Sequence, residues 1–366
     1  MAAVVASGTT GGSMGQAALR RSSVNTWPGM AVAAAAVTIC LVFIRSPASA
    51  QPADEFYKGK QIRIVVGSTG GGDYDVWARL LARHMSRHIP GNPNIIVENM
   101  PGAGTLVSTN HVFNVAPRDG TVIGMPSRSM PAAAVMKVAN VRFDPVKFNW
   151  IGSPEVNHLV VYINNATAIK KPADLFEREV IVGATGLAQG ITVGPYLLKN
   201  LLGMKLKIVT GYRSPGEVVL AVTRGEVGSL VSTVGGPVSA RRQWIADGKM
   251  RVLFNMEPER VPWLDAPTVF DVARTEEQRQ VLTFFAGNTR LGRPLMLPPD
   301  VPAERVALLR RAFDATMKDA GFLKEAETMG FEVSPQTGEA VAALVAAALA
   351  TPEDIVRKAE RAATPD

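Results

Sequence analysis

From Gln61 to Val66 the chain reads QIRIVV, alternating at first and then continuously apolar, the pattern of a strand covered on both faces. It runs into Gly67-Ser68-Thr69-Gly70-Gly71-Gly72. Asp73 and Asp75 follow, residue types that cap helix N-termini. Val76, Trp77, Leu80, Leu81 and Met85 then recur at helical spacing, which makes Trp77 a core residue rather than a stacking platform for a ligand. The unit is strand, glycine loop, helix. Asn94–Glu98 predicts a second strand, and Asn99-Met100-Pro101-Gly102-Ala103-Gly104 a second small-residue loop entering a helix. Thr121–Met125 predicts a third strand after the turn Pro117-Arg118-Asp119-Gly120.

A second series begins at His158–Ile163. Val180–Gly183 leads into Ala184-Thr185-Gly186 and a helix to about Leu202. Leu206–Thr210 leads into Gly211-Tyr212-Arg213-Ser214-Pro215-Gly216 and a helix to Arg224. Ser229–Ser232 and Arg251–Phe254 predict two more strands. The last third is helical, with Val306, Leu309, Phe313 and Met317 on one stripe and an alanine-rich helix after Gly338. Strand–loop–helix alternation predicts an α/β fold with a mainly parallel sheet in each of two lobes. A chain of 366 residues is long enough for two such units.

Composition adds a compartment. Arg20 and Arg21 precede the uncharged run Met30–Ile44, and Ala48-Ser49-Ala50 follows. Basic region, short apolar stretch and small-residue exit read as a secretory leader over 1–50, cleaved after Ala50. The run has 15 residues, short of the roughly 20 that span a bilayer. The one cysteine, Cys40, lies inside it, so the mature chain has no disulfide, thiol nucleophile or thiolate metal site. The leader carries three arginines and no acid, and the remainder has 36 basic against 32 acidic side chains. Basic residues are scattered and aromatics make up 6%, which argues against nucleic-acid binding.

Four loops (67–73, 99–105, 184–190 and 211–216) have the same form, a strand end feeding a helix N-terminus through glycine. Unpaired N–H groups and the positive end of the helix dipole suit such loops to phosphate or carboxylate. Nucleotide motifs are missing: no G-x-x-x-x-G-K-[ST] occurs, and Val107 stands where a third dinucleotide-loop glycine would be. No G-x-S-x-G elbow occurs either. His84 and His88 share helical spacing but sit among Arg79, Arg83 and Arg87, which reads as a solvated basic helix end rather than a metal site. His111 and His158 stand alone and read as structural, and neither a metal nor a cofactor is expected. Arg128, just past the third strand, is a candidate counter-ion for an anion in the cleft.

From about Tyr57 to Glu360 the chain resembles the substrate-binding proteins of tripartite tricarboxylate transporters, the Bug receptors. Ile62–Val66 with Gly71-Gly72 and Asp75-Val76-Trp77-Ala78-Arg79 is similar to the family's first strand, glycine loop and D-x-x-A-R helix start. Val97-Glu98-Asn99-Met100-Pro101-Gly102-Ala103-Gly104 resembles its V-x-N-x-P-G-A-G loop, the most specific signature present. Ala116-Pro117-Arg118-Asp119-Gly120-Thr121, Gly211-Tyr212-Arg213-Ser214 and Val261-Pro262-Trp263-Leu264-Asp265-Ala266-Pro267-Thr268 resemble further segments in order.

The resemblance implies a two-lobe periplasmic receptor of the Venus-flytrap type (type II), with residues 51–156 and 292–366 in the first lobe and 157–291 in the second. It implies no enzymatic activity; an exported enzyme on the same scaffold is the alternative. Carried over residue by residue, the ligand contacts are Ser68, Thr69, Gly70, Gly71, Asp73 and Tyr74, then Gly102, Ala103 and Gly104, and from the second lobe Thr185, Gly186 and Tyr212. The implied partners are a small organic carboxylate and a tripartite membrane transporter or sensor kinase, and the mature chain is expected to be a monomer. Asp73 stands where the family usually has a third glycine, and Tyr74 where it has Thr or Ser. Gly225-Glu226-Val227-Gly228 lacks the family's aspartate.

Overall fold

The computed structural model describes residues 53–185, 190–212, 215–234, 239–261 and 264–365. The leader with its cleavage point after Ala50, and Gly186, lie outside the described residues. The strands are β1 (Gln61–Val66), β2 (Asn94–Asn99), β3 (Val122–Met125), β4 (Asn149–Ser153), β5 (Leu159–Asn164), β6 (Val180–Gly183), β7 (Leu206–Val209), β8 (Ser229–Thr233), β9 (Met250–Asn255), β10 (Leu295–Leu297) and β11 (Gln336–Thr337). They form two sheets, ordered β11-β4-β10-β3-β1-β2 and β7-β6-β8-β5-β9.

Each sheet is mixed, not mainly parallel. β1 pairs parallel with β2 and β3, and β6 parallel with β7 and β8. Those ladders belong to the strand–loop–helix units, whose helices supply the crossover that a parallel neighbour needs. β10 runs antiparallel to β3 and β4, β11 to β4, and β5 to β8 and β9. β4 and β10 are the strands that leave for the second sheet and return from it, so no covering helix dictates a parallel entry.

Alternation along the strands feeds two cores per sheet. Ile62, Ile64 and Val66 join the core with Trp77, Leu309 and Phe313, while Val65 points into the opposite one with Leu106, Val112 and Trp150. In β5, Leu159, Val161 and Ile163 face one core and Val160 and Tyr162 the other. Every residue of these strands that faces a core is covered, which is why QIRIVV and LVVYIN read as continuous apolar runs. Trp77 is fully buried and stacked on Phe331, ring centroids 4.4 Å apart, as its helical stripe predicts.

The C-terminal segment does not stay with the first sheet throughout. Helix Ala303–Thr316 packs beneath it, but helix Glu353–Ala362 crosses back: Ile355, Ala359 and Ala362 belong to the core of the second sheet. Its apolar residues at i, i+4 and i+7 form a stripe that the first sheet, already covered on both faces, has no room to bury.

His84 and His88 are not a solvated helix end. His84 is buried, with Nε2 2.5 Å from Glu325, and His88 Nε2 lies 3.2 Å from Asp319. The acids come from helix Ala320–Thr328 and its N-cap, more than 200 positions away. Among the described residues no group of three or more His, Cys, Asp or Glu is arranged to hold a metal, and no helix is long and apolar enough to cross a membrane.

Candidate functional site

The loops after β1, β2 and β3 meet at the carboxyl ends of three adjacent strands, where open α/β sheets place their ligands. Asp75 ties the first two together. Its carboxylate accepts from Gly71 N–H at 2.8 Å, from Arg79 Nε at 2.9 Å and from Asn99 Nδ2 at 2.9 Å. Asn99 also donates to the Ser68 carbonyl at 3.0 Å. Burial alone would raise the Asp75 carboxyl, but the bonds from Arg79, Gly71 and Asn99 outweigh it and hold the group below the usual carboxylate range. Neither Asp73 nor Asp75 is an N-cap: that position is Gly72, and no side chain caps it.

The second loop carries consecutive positive φ angles from Gly102 to Thr105. Thr105 is buried, and its Oγ1 accepts from Ser127 N–H at 2.9 Å, which fixes the start of the third loop. One residue on, Arg128 N–H donates to the Tyr74 hydroxyl at 3.1 Å. All three loops are therefore cross-tied by side chain to backbone bonds.

Arg293 is the hub beside them. Its buried guanidinium reaches Glu155 at 3.1 Å and Asp73 at 3.3 Å. Its backbone N–H donates to Ser153 Oγ at 3.0 Å. Glu155 is buried too, and also accepts from Asn157 Nδ2 at 3.0 Å. Burial pushes the Glu155 carboxyl up, against the pull of Arg293 and Asn157.

A cavity of about 840 Å³ opens from this polar end. Asp73, Tyr74, Ser127, Arg128 and Arg293 line one end; Leu159, Ile191, Leu197, Met256, Leu282, Phe284 and Phe285 line the body. These side chains come from both sheets' surroundings, so the cavity lies in the cleft between the two lobes. The Arg128 guanidinium is ringed by protein atoms yet open to the cleft. Burial pushes it below its ordinary value, the nearby Arg293 charge adds to the shift, and Glu155 and Asp73 oppose it. Among the described residues no hydrogen bond or ion pair satisfies this guanidinium. An arginine keeps its charge under such pressure, so the site is arranged to receive an anion.

Of the residues singled out from sequence, Asp73, Tyr74 and Arg128 line the cavity. Thr69, Gly70, Gly71, Ala103 and Gly104 are exposed on the neighbouring loops, with Ser68 and Gly102 half-buried among them. Thr185 is buried, its N–H donating to Thr192 Oγ1 at 3.1 Å, and Tyr212 packs against a core of the second sheet. Neither lines the cavity. Sequence reading missed Arg293 and Glu155, whose charges find each other only in space. It also passed over helix Glu276–Arg290, which supplies Leu282, Phe284 and Phe285; the Thr275-x-x-Gln278 capping box at its start was the available signal.

The model of the TctC family, tripartite tricarboxylate transporter family receptors, matches residues 77–361. A UPF0065 protein in the gbd 5′ region of Cupriavidus necator is 30% identical over 232 residues, which span 60% of this chain and 65% of that protein. Among solved structures, a TctC solute binding protein from Polaromonas superposes with a TM-score of 0.65 at 17% identity, covering 82% of this chain and 99% of that one. MatC from Rhodopseudomonas palustris, with bound malate, superposes with a TM-score of 0.57 at 20% identity, covering 81% and 99%. At these identities the structural likeness establishes the shared fold. The match of the family model over most of the chain establishes more: this chain belongs to the TctC family of tripartite tricarboxylate transporter receptors, which are solute-binding proteins and not enzymes.

Proposed function

We propose that the chain is a periplasmic receptor that captures a small carboxylate-bearing organic acid in the interlobe cavity and delivers it for uptake. The observation that carries this reading is the cleft-facing Arg128 guanidinium with no partner among the described residues. The malate in MatC supports a carboxylate as ligand. The exposed loops around Thr69-Gly70 and Ala103-Gly104 close on the carboxylate end through backbone N–H groups as the lobes rotate about the crossovers near 156 and 291. The leader directs export, with cleavage after Ala50, and the mature chain works as a monomer with a tripartite membrane transporter or, for sensing, with a sensor kinase.

A thermal-shift screen of the chain recovered from the periplasm of an expressing host tests this. A cognate acid at a hundredfold excess over its Kd stabilises the protein by about 2.7 kcal/mol. A shift with nucleotides or metals, and with no organic acid, would return the exported-enzyme alternative to the front.

A further inference from the structure

We infer that the ligand is a monocarboxylate with an apolar body, an arene or alkyl chain, held carboxylate-first against Arg128 with its body along Leu159, Ile191, Leu197, Phe284 and Phe285. This inference rests on the receptor reading above and narrows it.

The charges lining the cavity decide the first half. Among the described residues they are Asp73, Arg128, Arg293 and Glu360. Arg293 is already engaged by two carboxylates, those of Glu155 and Asp73. Arg128 is the one cation among the described lining residues with no carboxylate in contact, so one ligand carboxylate completes the polar end. A second carboxylate finds no further cation without a carboxylate partner among the described lining residues. Placed near the first it meets Asp73, and the remaining charge among the described lining residues is another carboxylate, that of Glu360. Asn288, also in the lining, has a buried Oδ1 with no donor to it and adds no positive charge. A carboxylate moved from water to such a wall loses its hydration without compensation.

The lining decides the second half. Beyond the polar end the wall is mostly aliphatic and aromatic, drawn from β5, helix Gly190–Leu202 and helix Glu276–Arg290, with Ser232, Thr233, Asn288, Thr289 and Thr364 as uncharged polar positions among them. A compact acid that is polar at both ends leaves this surface wet. An arene or alkyl body covers it and gains the free energy of removing both apolar surfaces from water. Serine hydroxyls at positions 127 and 129 sit beside Arg128, 2.9 Å apart, and provide donors for the same carboxylate.

Isothermal titration of the chain purified from the periplasm tests the inference with a matched set: 3-phenylpropanoate, octanoate, 3-phenylpropanamide, 3-(4-carboxyphenyl)propanoate, malate and citrate. At least one of the two monocarboxylates binds, and the neutral amide and the ring dicarboxylate each bind about tenfold or more weaker, a factor of ten in Kd corresponding to about 1.4 kcal/mol. Arg128→Gln weakens the monocarboxylate by a similar factor while Arg128→Lys recovers part of it, and unchanged melting of both variants shows that folding is not the cause. Malate, citrate or the ring dicarboxylate binding as tightly as the monocarboxylates overturns the inference and leaves the receptor reading standing. Failure of every acid in the set to bind overturns both.

Discussion

The guanidinium of Arg293 lies over the ring of Tyr74, 4.5 Å from its centroid, and reaches the carboxylate of the preceding residue, Asp73, at 3.3 Å. Asp73 and Tyr74 are the two positions in the first loop at which this chain departs from its family's motif. They share one partner, supplied from 220 residues downstream. The departures are therefore one change rather than two: an aspartate to pair the arginine and an aromatic face to stack it.

Removing half of that arrangement should alter what the cleft accepts. In Asp73→Gly, Arg293 keeps Glu155 but loses its second carboxylate, and the polar end gains one net positive charge. Affinity for anions is expected to rise several-fold, and discrimination between mono- and dicarboxylates to shrink, because repulsion at the polar end is gone. Titration of the variant with the same matched acids reads both effects.

The Arg293–Glu155 pair is buried, so breaking it from one side should be costly. Arg293→Met leaves Glu155 without its counter-charge, at a cost of about 3–5 kcal/mol. Adding Glu155→Gln removes the orphaned charge and should recover much of the loss. Urea denaturation of both single variants and the double variant gives the coupling directly, and a double loss equal to the sum of the two single losses would show that the pair is not coupled.

Asp75 makes stability pH-dependent in a definite direction. Its native value is depressed, so the unfolded chain binds the proton more readily. The contribution is fully present above the unfolded value of about 3.9 and is lost as pH falls through the lower native value. Asp75→Asn is expected to lose about 2 kcal/mol at neutral pH, with the gap to the wild type closing in strong acid. Melting curves of the two chains from pH 7 to pH 2 follow that convergence.

Two loop glycines should respond differently to the same change. Gly71 has φ +83° and open space around a would-be Cβ, so Gly71→Ala costs about 1–2 kcal/mol of backbone strain. Gly102 has φ +148°, and a Cβ there falls 2.7 Å from Val107 Cγ2. Gly102→Ala should cost about 3 kcal/mol, strain and collision together. Thermal denaturation ranks them.

Much of the frame was legible because local pattern and global burial agree. β1, the Trp77 helix and the glycine loops follow from alternation and spacing alone. β4 did not: NWIGS carries Asn, Gly and Ser, residues that signal turns, and it becomes a strand only because β10 and β11 pair with it on either side. β10 has three residues and β11 two, too few to show any period. At the site, Arg128 could be read from its place after a strand, but its want of a partner is a property of the whole neighbourhood. Asp75 looked like a cap because Asn99, which shares its bonding, is 24 residues away.

Helix Glu353–Ala362, packed on the second core, has a mechanical consequence. The described backbone passes between the lobes three times: after β4, before β10, and again ahead of this last helix. Two lobes joined by two tethers can shear and twist as well as swing. A third tether subtracts from that freedom, so whatever movement the two lobes make is held closer to a swing than to a slide or a twist.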